Sequence, residues 1–259
     1  MTGPESILLG VLNVTPDSFS DGGRWMDAGA ASERAFRMVE EGAGAIDVGG
    51  SSSRPGAVPV GAREERARVE PVLRRLAGRL GVPVSIDTSH PDVARMALDE
   101  GATIVNDIRA LADPALRRLV AERRSGAIVM HMRGHPLTMQ DDPRYGDVVE
   151  EVRASLEEAV RRCEDDGIPR ARIWTDPGIG FGKTHGHNLS LLADLPRTRV
   201  EGCRLCVGPS RKGFLGRILD GAPVSDRLEG TLACVALAAA AGAQMIRVHD
   251  VREARRAVR

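Results

Sequence analysis

The chain has 259 residues, of which 42% are hydrophobic, and its 36 Asp and Glu side chains balance 36 Lys and Arg side chains. This length can bury one large core, and the zero net charge argues against a nucleic-acid-binding protein that relies on a diffuse basic surface. The four scattered cysteines do not form a disulfide framework, and the first residues lack the pattern of a signal peptide, so we expect a cytoplasmic protein.

Short apolar runs rich in β-branched residues alternate with longer segments of helical periodicity. The predicted strands are Ile7–Val14, Ala45–Val48, Val82–Ile86, Thr103–Asn106, Ala127–Met132, Arg172–Thr175, Leu205–Gly208 and Gln244–His249. Among the helices between them, the clearest are Ala28–Glu41, Ala62–Leu80 and Val148–Asp165. Eight such units with no linker predict a single α/β domain over residues 1–259, a (β/α)8 TIM barrel. An open doubly wound sheet shows the same alternation and is the alternative.

Polar or ionisable side chains stand at or just after the end of every predicted strand. In chain order they are Asn13, Asp47, Asp87, Asn106 with Asp107, His131, Asp176, Ser210 to Lys212, and Arg247 to His249. Asp or Asn could cap the next helix at one or two of these positions. Capping does not account for all eight, and the catalytic groups of TIM barrels gather at this end of the strands.

These side chains indicate the kind of ligand that the barrel would bind. The acceptors Asp87, Asn106 and Asp176 suit the edge of a heterocycle that displays N–H donors. The cations Lys212, Arg247 and His249 suit a phosphate or a carboxylate. The pattern therefore predicts a flat, polar ring that carries an anionic group.

Lysine is rare in this sequence, since 34 of the 36 basic residues are Arg and only Lys183 and Lys212 are Lys. Both lysines follow predicted strands. Because Arg provides the positive charge everywhere else, a lysine at these two positions indicates that a planar guanidinium would not serve there.

Eight segments together resemble the dihydropteroate synthase family, and they extend over nearly the whole chain. They are residues 10–23 (GVLNVTPDSFSDGG), 47–57 (DVGGSSSRPGA), 85–89 (SIDTS), 105–108 (VNDI), 130–132 (MHM) with 138–140 (TMQ), 176–183 (DPGIGFGK), 210–212 (SRK) and 247–250 (RVHD). The resemblance implies a TIM-barrel enzyme that joins 6-hydroxymethyl-7,8-dihydropterin diphosphate to 4-aminobenzoate and releases pyrophosphate. It also implies Mg²⁺ as cofactor, a homodimer formed through outer barrel helices, and inhibition by sulfonamides, which mimic the aminobenzoate.

The resemblance also assigns roles to individual residues. The pterin pocket would contain Asp87, Asn106, Asp176 and Lys212, and the diphosphate site would contain Asn13, Ser53, Arg247, Val248 and His249, with Asn13 also at the metal ion. The aminobenzoate pocket and its two mobile loops would contain Asp17, Ser18, Phe19, Ser53, Arg54, Pro55, Phe181 and Lys212. Asp87, Lys212, Arg247 and His249 are the expected catalytic residues.

The sequence departs from the family pattern around the aminobenzoate pocket. Ser51 and Ser53 stand where Glu and Thr are usual, Gly213 where Ser or Arg is frequent, and His90 where Lys is frequent. Two other functions are compatible with a pterin-binding barrel: a methyltransferase domain that uses methyltetrahydrofolate with a corrinoid partner, and a non-catalytic relative that binds pterin or a partner protein. The intact first loop and Ser-Arg-Lys motif favour the synthase.

Overall fold

Eight parallel strands form a closed barrel in chain order in a computed structural model that describes residues 6–15, 28–54 and 56–259. The strands are β1 (Ile7–Asn13), β2 (Ala45–Gly49), β3 (Val84–Asp87), β4 (Ile104–Asp107), β5 (Gly126–Met130), β6 (Ile173–Asp176), β7 (Arg204–Val207) and β8 (Met245–Val248). Because β1 pairs with both β2 and β8, the sheet closes on itself. This confirms the predicted TIM barrel and excludes the open doubly wound sheet.

Helices cover the outside of the barrel. They are α1 (Ala28–Glu40), α2 (Ala62–Leu76), α3 (Pro91–Asp99), α4 (Pro114–Glu122), α5 (Val148–Asp165), α6 (His185–Ala193), α7 (Gly213–Ile218), α8 (Leu228–Ala240) and α9 (Val251–Ala257). Both α7 and α8 lie between β7 and β8, so the seventh unit has an additional helix. Within the described ranges, the helices are too short or too polar to cross a membrane.

The prediction for α2 was wrong at its end, because the helix stops at Leu76 instead of continuing to Leu80. Ala77 leaves the helical region with a ψ of 123°. Gly78 and Gly81 follow with positive φ values of 64° and 75°, a conformation that glycine adopts readily. The apolar spacing of the helix continues past the point at which the backbone turns, which is why periodicity overestimated its length.

Two separate apolar layers hold the barrel together. A large outer layer lies between the strands and the helices, and a smaller inner layer fills the end of the barrel where the strands begin. The inner layer consists of Leu9, Ala45, Ile104, Ile128, Trp174, Cys206 and Met245, all of which are buried. The polar residues at the opposite ends of the same strands therefore lie above a packed apolar floor.

The glycine-rich loop after β6 packs tightly against the loop after β5. A Cβ atom on Gly178 would lie 1.9 Å from the carbonyl oxygen of His131, and one on Gly182 would lie 2.3 Å from that of Arg133. Both glycines also have positive φ values, of 67° and 61°. These two glycines are thus required for contact between neighbouring loops.

We expect Gly178→Ala to lower the free energy of unfolding by about 2 kcal/mol or more, because the new methyl group clashes with backbone and the positive φ is unfavourable for alanine. Urea unfolding followed by circular dichroism measures this loss. Gly186→Ala is the matched control, since Gly186 is exposed on α6 and alanine favours helix, so its stability should equal or exceed that of the wild type. Equal stability of the two variants would contradict the packing requirement.

Candidate active site

A cavity of about 610 Å³ opens among the carboxyl ends of the strands and the loops that follow them. Seven of the predicted site residues line it: Asn13, Ser53, Arg54, Phe181, Lys212, Arg247 and His249. The predicted loop residues Asp17, Ser18, Phe19 and Pro55 lie outside the described residues. The structure thus brings together residues from the first, second, sixth, seventh and eighth units of the barrel.

The guanidinium of Arg247 joins two carboxylates across the base of this cavity. Its Nε lies 2.6 Å from Oδ2 of Asp47, and its Nη2 lies 2.8 Å from Oδ2 of Asp87. The same Oδ2 of Asp47 accepts a hydrogen bond of 3.0 Å from the amide of Asn106. Strands β2, β3, β4 and β8 are therefore tied together by one charged network.

Burial controls the protonation of the predicted pterin-binding carboxyl groups. Burial raises the pKa of Asp87 to about 7, while the positive charge of Arg247 opposes the rise. Burial also raises the pKa of Asp176, and the N–H of Gly178 opposes this by donating to Oδ1 of Asp176 at 2.7 Å. Both groups are positioned to accept hydrogen bonds from a ligand in a site with little water.

Lys212 lies at the wall of the cavity, where its ammonium group sits 3.9 Å from the centroid of the Phe181 ring. Burial and then the charge of Arg247 lower the pKa of Lys212 to about 7, although Asp176 and Asp87 act in the opposite direction. A Cβ on Gly180 would come within 3.0 Å of Cδ of Lys212, so this glycine leaves room for the lysine stem. An ammonium over an aromatic face is a favourable cation–π contact.

The hydrogen bonds of His249 fix which of its ring nitrogens can reach a ligand. Oγ of Ser210 accepts from the backbone N–H of His249 at 3.2 Å and lies 2.9 Å from Nδ1 of the same residue. When the Ser210 hydroxyl donates its proton to Nδ1, the neutral ring carries its own proton on Nε2. Burial, followed by the charge of Arg247, lowers the pKa of His249 to about 3, so the ring is a neutral donor.

Two other residues have surroundings that the sequence did not predict. The Val248 side chain is fully buried in the outer layer, so only its backbone is available to a ligand in the cavity. Asp47, which the sequence placed at a strand end without a role in the site, is fully buried and holds both Arg247 and Asn106. The only feature of the sequence that pointed to this role of Asp47 was its position near the end of a predicted strand.

Comparison with known proteins agrees with this geometry. Residues 9–249 match the family described as pterin binding enzyme. The chain is 47% identical to dihydropteroate synthase of Escherichia coli K12 over 252 residues, which cover 97% of this chain and 89% of that protein.

Two crystal structures show how far the likeness extends. The dihydropteroate synthase of Yersinia pestis, solved in complex with a sulfonamide drug, has a TM-score of 0.93 and 42% identity, covering 98% of this chain and 92% of that one. The enzyme of Xanthomonas albilineans, solved with 4-aminobenzoic acid, has a TM-score of 0.92 and 42% identity, covering 98% and 91%. The chain therefore belongs to the pterin binding enzyme family and, within it, to the dihydropteroate synthases.

Proposed function

We propose that this chain condenses 6-hydroxymethyl-7,8-dihydropterin diphosphate with 4-aminobenzoate to give 7,8-dihydropteroate and pyrophosphate, a step of folate biosynthesis. The observation that carries this proposal is a cavity lined by cations, one of which, Arg247, pairs with the acceptor Asp87. The acceptors Asn106 and Asp176 are buried near the ends of β4 and β6. Such a site can bind an N–H-rich ring at its base and an anionic leaving group nearer its opening.

The base of the cavity would hold the pterin ring. Asp176 keeps one carboxyl oxygen on Gly178 and offers the other to the 2-amino and ring N–H groups. Lys212 would donate to the acceptor atoms of the ring. As the C–O bond to the diphosphate breaks, positive charge develops on the exocyclic methylene and spreads into the ring, where the carboxylate of Asp87 stabilises it.

The diphosphate would lie where Asn13, Ser53 and His249 line the cavity. His249 would donate from Nε2, and the guanidinium of Arg247 would offset the charge that develops on the leaving group. Among the described residues there is no cluster of acidic, His or Cys side chains able to hold a metal by itself. The single amide oxygen of Asn13 fits a Mg²⁺ ion that is bound mainly through diphosphate oxygens and water, and that ion would neutralise the leaving group.

The acceptor substrate would lie between Phe181 and Lys212 on one side and the second loop on the other. Its arylamine attacks the methylene carbon, a C–N bond forms and the amine proton is released. The space beside Gly213 is open, because a Cβ there would meet no atom within 4 Å, so contacts to the aminobenzoate carboxylate at this point must come from the backbone. Sulfonamides would compete for the same space.

The proposal also includes a homodimer and a cytoplasmic location. Helix α8 carries no charged residue from Thr231 to Ala240, and its exposed face consists of Ala233, Ala236, Leu237 and Ala240. Ile218 on α7 and Leu189 on α6 are also exposed, and these helices pack beside α8. This apolar face supports a homodimer through the outer helices. A cytoplasmic location stays a prediction.

The activity is tested by a pyrophosphate-release assay, which should require both substrates and Mg²⁺. Lys212→Ala and Asp176→Ala should each lower the rate by about 100-fold or more, because each removes a group that contacts the reacting pterin. Asp165→Ala, at the exposed end of α5, is the control and should match the wild type. A rate near that of the wild type in either site variant would show that the pocket is wrongly assigned.

Stability should depend on the protonation of His249. Its ring is neutral in the fold at a pH at which the unfolded chain, with a His pKa of about 6.5, takes up a proton. The unfolded state therefore binds more protons below pH 6.5, and stability falls as the pH is lowered. We expect wild type to lose about 1–2 kcal/mol more than His249→Gln between pH 7 and pH 5, measured by urea unfolding. Parallel losses in the two proteins would contradict a neutral buried ring.

Leu237→Lys should shift the protein from dimer to monomer in light scattering after size-exclusion chromatography, because Leu237 is 53% exposed on the apolar face of α8. Val58→Lys is the matched control, since Val58 is also exposed but lies after the second loop. Retention of the dimer by Leu237→Lys would place the interface elsewhere.

A further inference from the structure

Lys183 is one of the two lysines of the chain, and the proposed reaction gives it no role. Its side chain is 3% exposed, and its ammonium nitrogen lies 3.0 Å from the carbonyl oxygen of Phe181 and 2.9 Å from Nδ1 of His131. A lysine is rarely buried unless its charge and its donors are used. The contacts of Lys183 therefore indicate what it does.

The backbone of the glycine-rich loop is fixed by side chains at three successive carbonyl groups. The carbonyl of Gly180 accepts from Gln140 at 2.7 Å, that of Phe181 accepts from Lys183, and that of Gly182 accepts from Tyr145 at 2.8 Å. Gln140 and Tyr145 come from the loop after β5. Of the three donors, Lys183 is the deeply buried one. It donates to the carbonyl of Phe181, the residue whose ring lines the cavity.

The position of Phe181 determines the surroundings of Lys212. The Phe181 ring is 7% exposed, lines the cavity and lies against the ammonium of Lys212 at 3.9 Å. Movement of the Phe181 backbone would carry the ring away from Lys212 and change the wall of the acceptor pocket. One path of contacts thus leads from His131 through Lys183 and Phe181 to Lys212.

The partner of Lys183 is held in the form that can accept its hydrogen bond. Burial, and then the charges of Lys183 and Arg133, lower the pKa of His131 to about 3, so its Nδ1 is free of a proton when Nε2 carries one. Burial also lowers the pKa of Lys183 to about 7, with Asp176 acting against that change and Lys212 and Arg133 adding to it. The single nitrogen of an amine or ammonium can donate to both acceptors, whereas a guanidinium carries its donors on separate nitrogens in a rigid plane.

We propose that Lys183, held by His131, is a positioning residue for the acceptor substrate: it fixes the carbonyl of Phe181 and so keeps the Phe181 ring against Lys212. This inference rests on the proposed function, because it assigns the wall formed by Phe181 to the 4-aminobenzoate. Of the four residues assigned to the pterin, only Lys212 touches this wall, whereas Asp87, Asn106 and Asp176 hold the ring from the strand ends. Loss of Lys183 should therefore affect the two substrates unequally.

The experiment compares steady-state pyrophosphate release by wild type, Lys183→Met, His131→Leu and His131→Asn. Met retains the volume of the lysine stem without a donor, so Lys183→Met should raise the KM for 4-aminobenzoate about tenfold more than the KM for the pterin diphosphate. His131→Leu should show the same inequality. His131→Asn should stay within about threefold of wild type for both substrates, because its amide oxygen can accept in place of Nδ1.

An unchanged KM for aminobenzoate in Lys183→Met, or an equal rise for both substrates, would overturn the proposal. If Lys183→Met did not fold, the contrast between His131→Leu and His131→Asn would decide the matter, since both remove the imidazole and only one keeps an acceptor. A crystal structure of Lys183→Met, or of His131→Leu in that case, provides a readout that does not need activity: the Phe181 ring should leave Lys212, and a ring still 3.9 Å away would refute the role. Failure of the wild type to release pyrophosphate would instead refute the proposed function.

Discussion

The ion pairs of Arg247 with Asp47 and Asp87 determine the form of the cavity base. One guanidinium and two carboxylates are withdrawn from water at the point where β2, β3 and β8 end. Burying such groups is costly, and their mutual attraction offsets the cost only when the geometry is good. The benefit is directional, because Arg247 cannot turn toward solvent without leaving the buried charge of Asp47 with only the neutral amide of Asn106 as partner, so its own charge stays at the base of the cavity.

The proposed site has one half for the pterin and one for the acceptor substrate, and these two halves are built in different ways. The pterin half is formed by strand ends, whose positions are fixed by the closed barrel and by the apolar layer beneath it. The acceptor half is formed by loops, and here side chains from neighbouring loops hold individual carbonyl groups. Strands give accurate positions without further support, whereas a loop reaches comparable accuracy only through such hydrogen bonds. The departures of this sequence from its family, at Ser51, Ser53 and Gly213, fall in the loop-built half.

Much of this structure could be predicted from the sequence. The alternation of strands and helices predicted the barrel, and the polar strand ends predicted six residues that line the cavity, namely Asn13, Ser210, Arg211, Lys212, Arg247 and His249. The role of Asp47 could not be predicted, because its partners Arg247 and Asn106 are distant in sequence and meet only when β8 closes the barrel next to β1. Val248 is the reverse case, because its motif suggested a ligand contact. Side chains alternate between the two faces of β8, so the side chain of Val248 lies in the outer layer and only its backbone is available to a ligand. The scarcity of lysine singled out Lys183, but only the hydrogen bonds of the folded chain show which groups it contacts.

Among the described residues, the apolar layer closes the barrel at the end opposite the cavity. Trp174 and its neighbours fill that end, and the guanidinium of Arg204 stacks on the Trp174 ring at 4.7 Å. In the proposed reaction, a heterocycle bound at the ends of the strands would therefore lie beneath the arylamine and would have to bind before it.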